Sequence, residues 1–502
     1  MKQPIAPTLI RHIVFRLLAV LVGLAPFMFA EAVLRAVGLG EPSDSSDPFV
    51  GFSAVRPLFV RSDDGLRFEI PRSRQTHFAR DSFAAVKAPN EFRIFCVGDS
   101  TVQGNPFSIE TSFTTWLEIS LRAGDPSRHW EVVNCGGISY ASYRMVPILE
   151  ELLAYEPDLF IVHSSHNEFL EDRTYGDIKR MPRVIVRTQE AVSQLRSFNL
   201  LRDGYLRMNP SPQPLSPEGK GAEGEGVAKS KTVLAAEVEA LLDFRGGMEF
   251  YHRDAKWRNG VVAHYETNLR RMVQIAREAG VPLILMNPVC NLRDAPPFKS
   301  EHHHGLTPAE LGRFEDLWSD ARTHYGSDRA RALALLQQAV AIDDQYAGLR
   351  YDLAKCFDAM GLVEDARREY VAAKELDVCP LRILDSMNQV VLDVARQHRI
   401  PVVDVRKLIE ERSRHGIPGV EWLVDHVHPS IRGYQAIGDA LADEMVRMGF
   451  VQAAPGWQEL RDQKCAEHLA SLSTVYFAKG QQHLEGLTRW AEGRVMKERP
   501  LK

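Results

Sequence analysis

A chain of 502 residues with 45% hydrophobic and 25% charged residues has a globular composition and is longer than one ordinary domain. Its formal charge of -5 leaves no basic surplus to neutralise phosphates, so no nucleic-acid partner is expected. Six scattered cysteines without a CxxC pair or zinc spacing argue against a disulfide framework and indicate no metal site or cofactor.

The first signal along the chain is apolar. Between Ile13 and Ala30 only Arg16 interrupts the run, with Lys2 and Arg11 ahead of it and Glu41, Asp44 and Asp47 behind. These 18 residues are near the lower limit for crossing a bilayer, and Ala32-Val33-Leu34 lengthens the stretch. The reading is a transmembrane anchor over 13–38. The positive-inside rule then places residues 1–12 in the cytoplasm and the rest on the extracytoplasmic, cell-envelope side. A signal peptide cleaved near Ala30-Glu31-Ala32 is the rival, disfavoured because helical patterning continues to Leu39. Residues 39–90 read as a stalk and a β-rich lead-in.

The central pattern begins at Glu91. Phe92 to Val97 predicts a buried strand, bounded by charge before it and by Gly98-Asp99-Ser100 after it. Thr111 to Ala123 has helical spacing, and Trp130 to Asn134 predicts a strand ending in Cys135-Gly136-Gly137. Met145 to Tyr155 is helical, and Leu159 to His163 is a strand running into Ser164-Ser165-His166-Asn167-Glu168. Strand and helix alternating at this spacing mean a parallel sheet with crossover helices. Cys96 and Cys135 fall on neighbouring strands of it and read as buried free thiols.

From 170 to 261 the chain makes an excursion whose Pro-, Gly- and charge-rich stretch at 209–231 is expected to be disordered. The core resumes with a helix from Val261 to Ala279 and a strand from Pro282 to Met286. A repeat follows: Ala332 and Ala366, Leu336 and Tyr370, Ala339 and Ala373, Ile342 and Leu376, and Asp343 and Asp377 each stand 34 apart. With Leu353, Ala354, Phe357 and Gly361 this resembles two tetratricopeptide repeats over 313–380, departing at Arg350 and Val378, where that motif usually has Trp and Pro. Two units are too few for a solenoid core, so they are expected to lean on the sheet-bearing domain and to offer a surface for a protein partner. A helix from Leu381 to His398, a strand from Ile400 to Val405 and a helix from Ile431 to Met448 complete the core. Residues 450–502 form a helical tail without a motif.

Two stretches carry chemistry. Ser100 stands at a strand end, at the edge where ligands bind in open α/β sheets, and needs a base to take its proton. In Asp425-His426-Val427-His428-Pro429 a carboxylate three residues before a histidine can accept from its Nδ1–H, leaving Nε2 free as that base. Pro429 suits the first turn of the following helix. Position 102 is Val, so the Gly-x-Ser-x-Gly elbow of α/β-hydrolases is absent.

Four blocks in order, Gly98-Asp99-Ser100, Asn134-Cys135-Gly136, Ser165-His166-Asn167-Glu168 and Asp425-x-x-His428, resemble those of the SGNH (GDSL-type) hydrolase superfamily. The architecture is similar to membrane-anchored bacterial members with a tetratricopeptide-like insert. The resemblance implies an α/β fold, a three-layer flavodoxin-like parallel sheet assembled from 91–169, 262–300 and 381–449. It implies a Ser100–His428–Asp425 triad and an oxyanion hole from the N–H groups of Ser100 and Gly136 with the Asn167 amide. Ser165 stands where Gly is usual and Glu168 where Asp is usual. His166 and His426 flank the site as candidate substrate contacts, and His302-His303-His304 reads as a solvated loop.

The expected activity is serine-dependent acyl transfer: an esterase or O-deacetylase acting on an ester or acetylated carbohydrate or lipid. An O-acetyltransferase of an exported glycan would use the same triad, and a non-catalytic scaffold on the same fold is the rival from another class.

Overall fold

The structure, a computed structural model, describes residues 23, 25–37, 57–164, 166–170, 195–198, 200 and 247–492. The chain divides into two units, residues 1–56 with 177–238, and 57–176 with 239–502. In the first, residues 25–36 are helical, and Glu31 accepts from the backbone N–H groups of Arg196 and Ser197. Much of the anchor expected at 13–38 lies outside the described residues, as does the stretch 209–231. Among the described residues no helix is long and apolar enough to cross a membrane.

The second unit opens with the β-rich lead-in, an antiparallel sheet of β1 (Val60–Arg61), β2 (Arg67–Glu69) and β3 (Ser82–Ala84). The main sheet follows, with β4 (Glu91–Gly98), β5 (His129–Gly136), β6 (Leu159–His163), β7 (Leu283–Met286) and β8 (Val402–Val403). All its pairs are parallel and its order is β5-β4-β6-β7-β8. In that flavodoxin-like order β5 is added on one side of β4 and the chain then crosses back to add β6 on the other, and the crevice at the strand ends there is where such sheets bind ligands.

Period-two alternation explains why β4 is apolar from Ile94 to Val97, where both faces are covered. Ile94 and Cys96 enter one buried cluster, and Phe95 and Val97 the other. The first cluster holds α2 (Phe113–Gly124) and α11 (Ile431–Arg447), through Trp116, Leu121, Ile437 and Leu441. The second holds α3 (Ser142–Leu152), α4 (Ala255–Glu278) and α9 (Asp385–His398), through Leu149, Leu269 and Val391. The result is three layers. Cys96 and Cys135 sit in different clusters, on opposite faces, and all six cysteines are buried.

The insert begins earlier than expected, at Pro308. It consists of α5 (Pro308–His324), α6 (Arg329–Ile342), α7 (Ala347–Ala359) and α8 (Val363–Leu376), two helix pairs outside the sheet. A Thr307–Glu310 capping box starts α5. Three of the four apolar pairs 34 apart are buried, in a cluster continuous with the sheet's second face, whereas Ile342 and Leu376 are half-buried at their helix ends. Both departures from the repeat motif have local reasons. Arg350 pairs with Glu369 at 2.9 Å, and the Val378 N–H, which a proline would lack, donates to the Lys299 carbonyl at 3.0 Å. Asp343 and Asp377 both latch the segment leading in from the core: Asp377 takes the N–H groups of Phe298 and Lys299, and Asp343 that of His303.

Several boundaries shift. The strand expected over Ile400 to Val405 has only two residues, because Asp404 caps α10 (Val405–Glu410) and the chain turns helical at Val405. The Ser430 hydroxyl accepts from the Gly433 N–H and caps α11, so Pro429 lies just outside the helix. The three histidines are not all solvated: His302 packs on Tyr346 at 4.4 Å and its Nδ1 lies 2.9 Å from Asp343. The tail forms α12 (Trp457–Ser471) and α13 (Thr474–Glu492).

Candidate active site

Ser100 is the first residue of a one-turn helix, α1 (Ser100–Gln103), at the C-terminal edge of β4. Asp99 caps that turn by accepting from the Thr101 N–H at 2.9 Å. It also lies 3.3 Å from His163 Nδ1. Burial works against its charge, but His163 and the Thr101 N–H outweigh that and lower its pKa to about 2.

Glycine lets α1 sit this deep. A Cβ on Gly136 would lie 2.1 Å from the Gln103 nitrogen, and one on Gly98 would lie 2.3 Å from the His163 carbonyl oxygen. Asn134 fastens the arrangement. Its Nδ2 donates to the Val102 carbonyl at 2.6 Å, and its Oδ1 accepts from the Gly136 N–H at 3.0 Å.

His428 arrives from 328 residues away. The turn that carries it is closed by the Ser430 N–H donating to Trp422 and is held from the loop after β7 by Asn291, which bonds both the His426 and Asp425 carbonyls. Asp425 Oδ1 accepts the N–H groups of Val427 and His428, at 2.8 and 2.7 Å. Its Oδ2 lies 2.6 Å from His428 Nδ1, and His428 Nε2 lies 2.8 Å from Ser100 Oγ. With the Asp425 side chain 7% exposed, burial alone would raise its pKa. The nearby imidazoles and these hydrogen bonds overcome burial and hold the carboxyl well below its usual range. Burial likewise pulls His428 down, but the Asp425 charge and hydrogen bond outweigh it and raise its pKa. Such an arrangement can fix the imidazole tautomer and deprotonate a serine hydroxyl.

The expected oxyanion donors fare differently. The Ser100 N–H stands at the first position of α1. The Gly136 N–H is committed to Asn134, so Gly136 serves the close approach of β5 to α1 and is no free donor. Asn167 donates one amide hydrogen to the Tyr140 carbonyl at 3.3 Å and retains a second. Glu168 ties this loop to α3, accepting from the N–H and the hydroxyl of Ser142 at 2.6 and 3.0 Å. The longer carboxylate is thus used as a helix anchor. Ser165 lies outside the described residues.

The His426 ring lies 6.3 Å from that of His428, and the His166 ring 6.1 Å from that of His163. The Ile383 N–H donates to His166 Nδ1 at 3.2 Å, and burial lowers the pKa of His166 to about 3. Burial also brings His426 to about 4, so both are neutral at neutral pH.

The sequence reading missed Asn105. Its side-chain Nδ2 lies 3.3 Å from His428 Nε2, while its N–H donates to the Ser100 carbonyl and its own carbonyl accepts from Tyr434 Oη. The one available signal was its place just beyond the nucleophile turn. Among the described residues no cluster of His, Cys, Asp and Glu is arranged to hold a metal.

A tetratricopeptide-repeat family model matches residues 327–377. No curated protein matches the sequence. Solved structures similar to it include a lipolytic-type protein of the G-D-S-L family from Desulfitobacterium hafniense, at 11% identity, 70% coverage of this chain, 98% of that chain and a TM-score of 0.29. An acetylxylan esterase from Geobacillus stearothermophilus is similar at 12% identity, 74% and 99% coverage and a TM-score of 0.31. A lipase/acylhydrolase from Enterococcus faecalis is similar at 13% identity, 73% and 100% coverage and a TM-score of 0.32. With likeness this distant, the functional reading rests on the geometry of the site itself.

Proposed function

We propose that the protein is a serine-dependent acyl-transfer enzyme, an esterase or O-deacetylase of the SGNH type. The observation that carries the reading is the hydrogen-bonded chain Ser100 Oγ–His428 Nε2–His428 Nδ1–Asp425 at 2.8 and 2.6 Å. His428 takes the Ser100 proton as Oγ attacks the ester carbonyl carbon. The carbonyl pair moves onto oxygen, which the Ser100 N–H and the free Asn167 amide hydrogen can meet. Collapse breaks the bond to the alcohol oxygen, and His428 returns the proton to it. Water, activated by His428, then releases the acyl group as acid. A sugar hydroxyl in place of that water would make the protein an O-acetyltransferase of an exported glycan. A fluorophosphonate should label Ser100, and Ser100→Ala should abolish labelling; labelling at another residue would refute the reading.

The apolar run at the N-terminus supports a membrane anchor with this domain outside, and the insert supports recruitment of a protein partner. Protease added to intact spheroplasts should then remove the domain, whereas full protection would overturn that placement.

A further inference from the structure

Asn105 is held in place by its backbone, which leaves its side chain available to the site. Gly104 ends α1 in the left-handed region, at φ 96°, and a Cβ there would lie 2.4 Å from the Ser108 carbonyl oxygen. The chain turns at once, and the Asn105 N–H donates back to the Ser100 carbonyl at 3.1 Å. The Asn105 carbonyl accepts from Tyr434 Oη at 2.8 Å. Tyr434 is fully buried and stands six positions after His428. One tyrosine thus ties the nucleophile loop to the helix that follows the base.

Among the described residues the half-buried Asn105 amide has one partner, His428 Nε2, 3.3 Å from its Nδ2. Asp425 Oδ2, 2.6 Å from Nδ1, keeps the imidazole proton there, so Nε2 is an acceptor and only the Nδ2 end of the amide can bond it. Ser100 Oγ, at 2.8 Å, is the nearer donor to the same lone pair. Both donors therefore meet at the nitrogen that exchanges protons with the reacting groups. Once Nε2 is protonated it no longer accepts, and the amide hydrogen is released to another acceptor.

The two half-reactions draw on this amide unequally. In the second, water must lie against both the acyl carbon and His428 Nε2. Its oxygen then sits beside the Asn105 amide, which offers an Oδ1 acceptor as well as the Nδ2 hydrogens. Water gives one hydrogen to Nε2 and the other to Oδ1, which turns a lone pair toward the carbonyl carbon. The new carbon–oxygen bond forms as the proton moves to Nε2. Collapse breaks the bond to Ser100 Oγ, which takes that proton back. In the first half-reaction a leaving group such as nitrophenolate departs without a proton, so the amide has nothing to orient.

We infer that Asn105 is a catalytic residue of the deacylation step, whose amide orients the water that His428 activates. This rests on the reading of Ser100 as nucleophile. The test uses the full chain and p-nitrophenyl acetate. The burst of nitrophenolate gives the acylation rate, and loss of the acetyl group from the intact protein, followed by mass, gives the deacylation rate. Asn105→Ala should slow deacylation by about 100-fold and leave acylation within about threefold, so that acetyl-Ser100 accumulates. Asn105→Asp keeps the shape but adds a carboxylate to Asp425 and Asp99 as charges that stabilise the imidazolium, so the acid limb of deacylation should move to higher pH. Equal slowing of both steps in Asn105→Ala, or no slowing of deacylation, would overturn the inference. Should that variant fail to fold, an acid limb that stays in place in Asn105→Asp overturns it instead. If wild-type Ser100 takes neither a fluorophosphonate nor an acetyl group, the nucleophile reading fails first; if it is acetylated and the two steps do not separate, this inference alone fails.

Discussion

In the helical insert, Ala332, Leu336 and Ala339 reappear 34 positions on as Ala366, Tyr370 and Ala373, and all six are buried. At the sheet edge, Ser100 meets His428 across 328 residues, with the 170–261 excursion and the insert lying between them in sequence. The insert is built from neighbours, each helix packing on the next. The site is built from turns at strand ends, and each functional side chain depends on a contact made by another segment: Asn134 on α1, Asn291 on the Asp425 turn, Glu168 on α3. Substitutions in the insert should therefore act on stability, and those at the sheet edge on chemistry.

The sharpest separation should come from the triad. His428→Ala removes the base, and Asp425→Asn leaves the imidazole without its charged orienting partner. Each should slow fluorophosphonate labelling by up to roughly 10⁴-fold with little change in thermal unfolding. The pH dependence gives the sign. Labelling needs neutral His428, whose pKa the Asp425 charge raises, so the acid limb should lie above the ordinary histidine value. Asp425→Asn should move that limb toward acid. A limb that stays in place would mean that Asp425 does not act on His428 through its charge.

A smaller effect is expected from the amides. Asn167→Ala should slow turnover by about 10²–10³-fold if its free hydrogen meets the oxyanion. Asn105→Ala should fall in the same range if its amide serves the reacting atoms beside His428 Nε2. A loss confined to unfolding temperature would make Asn105 a loop anchor instead, since its backbone already bonds Ser100 and Tyr434.

The smallest effect on activity should come from the insert. Asp352 is buried and accepts from Trp318 Nε1 at 2.7 Å and Arg322 Nε at 3.0 Å. Asp352→Ala should cost about 3–5 kcal/mol of stability by leaving those donors unpaired. Labelling of the folded enzyme should stay within about threefold. The insert's apolar cluster is continuous with one face of the sheet. If labelling fell in step with stability, that cluster would be coupling the two regions, and the contrast between them would fail.

How much was legible follows the same division. The strands from β4 to β7, their crossover helices and the repeat were readable because periodicity and turn residues are local properties of the sequence. The residues of the Ser100–His428–Asp425 contact were legible because Asp425 and His428 share one turn and Ser100 follows the end of a strand. Asn105 was not: nothing in its neighbours says that its amide will meet a histidine 323 positions away. Gly136 was assigned a donor's role, yet its N–H belongs to Asn134, and its missing side chain makes room for the Gln103 backbone.

The amino-acid sequence by itself determined the element types, the order of the blocks and the chemistry available at each, since these depend on residues within a turn or a repeat of one another. Only the tertiary structure decided which donors are already taken, which amide faces His428, and that the last helix lies against His426 through Trp490. Those outcomes depend on close approach between distant segments, where a few tenths of an ångström and one missing Cβ settle which group is free.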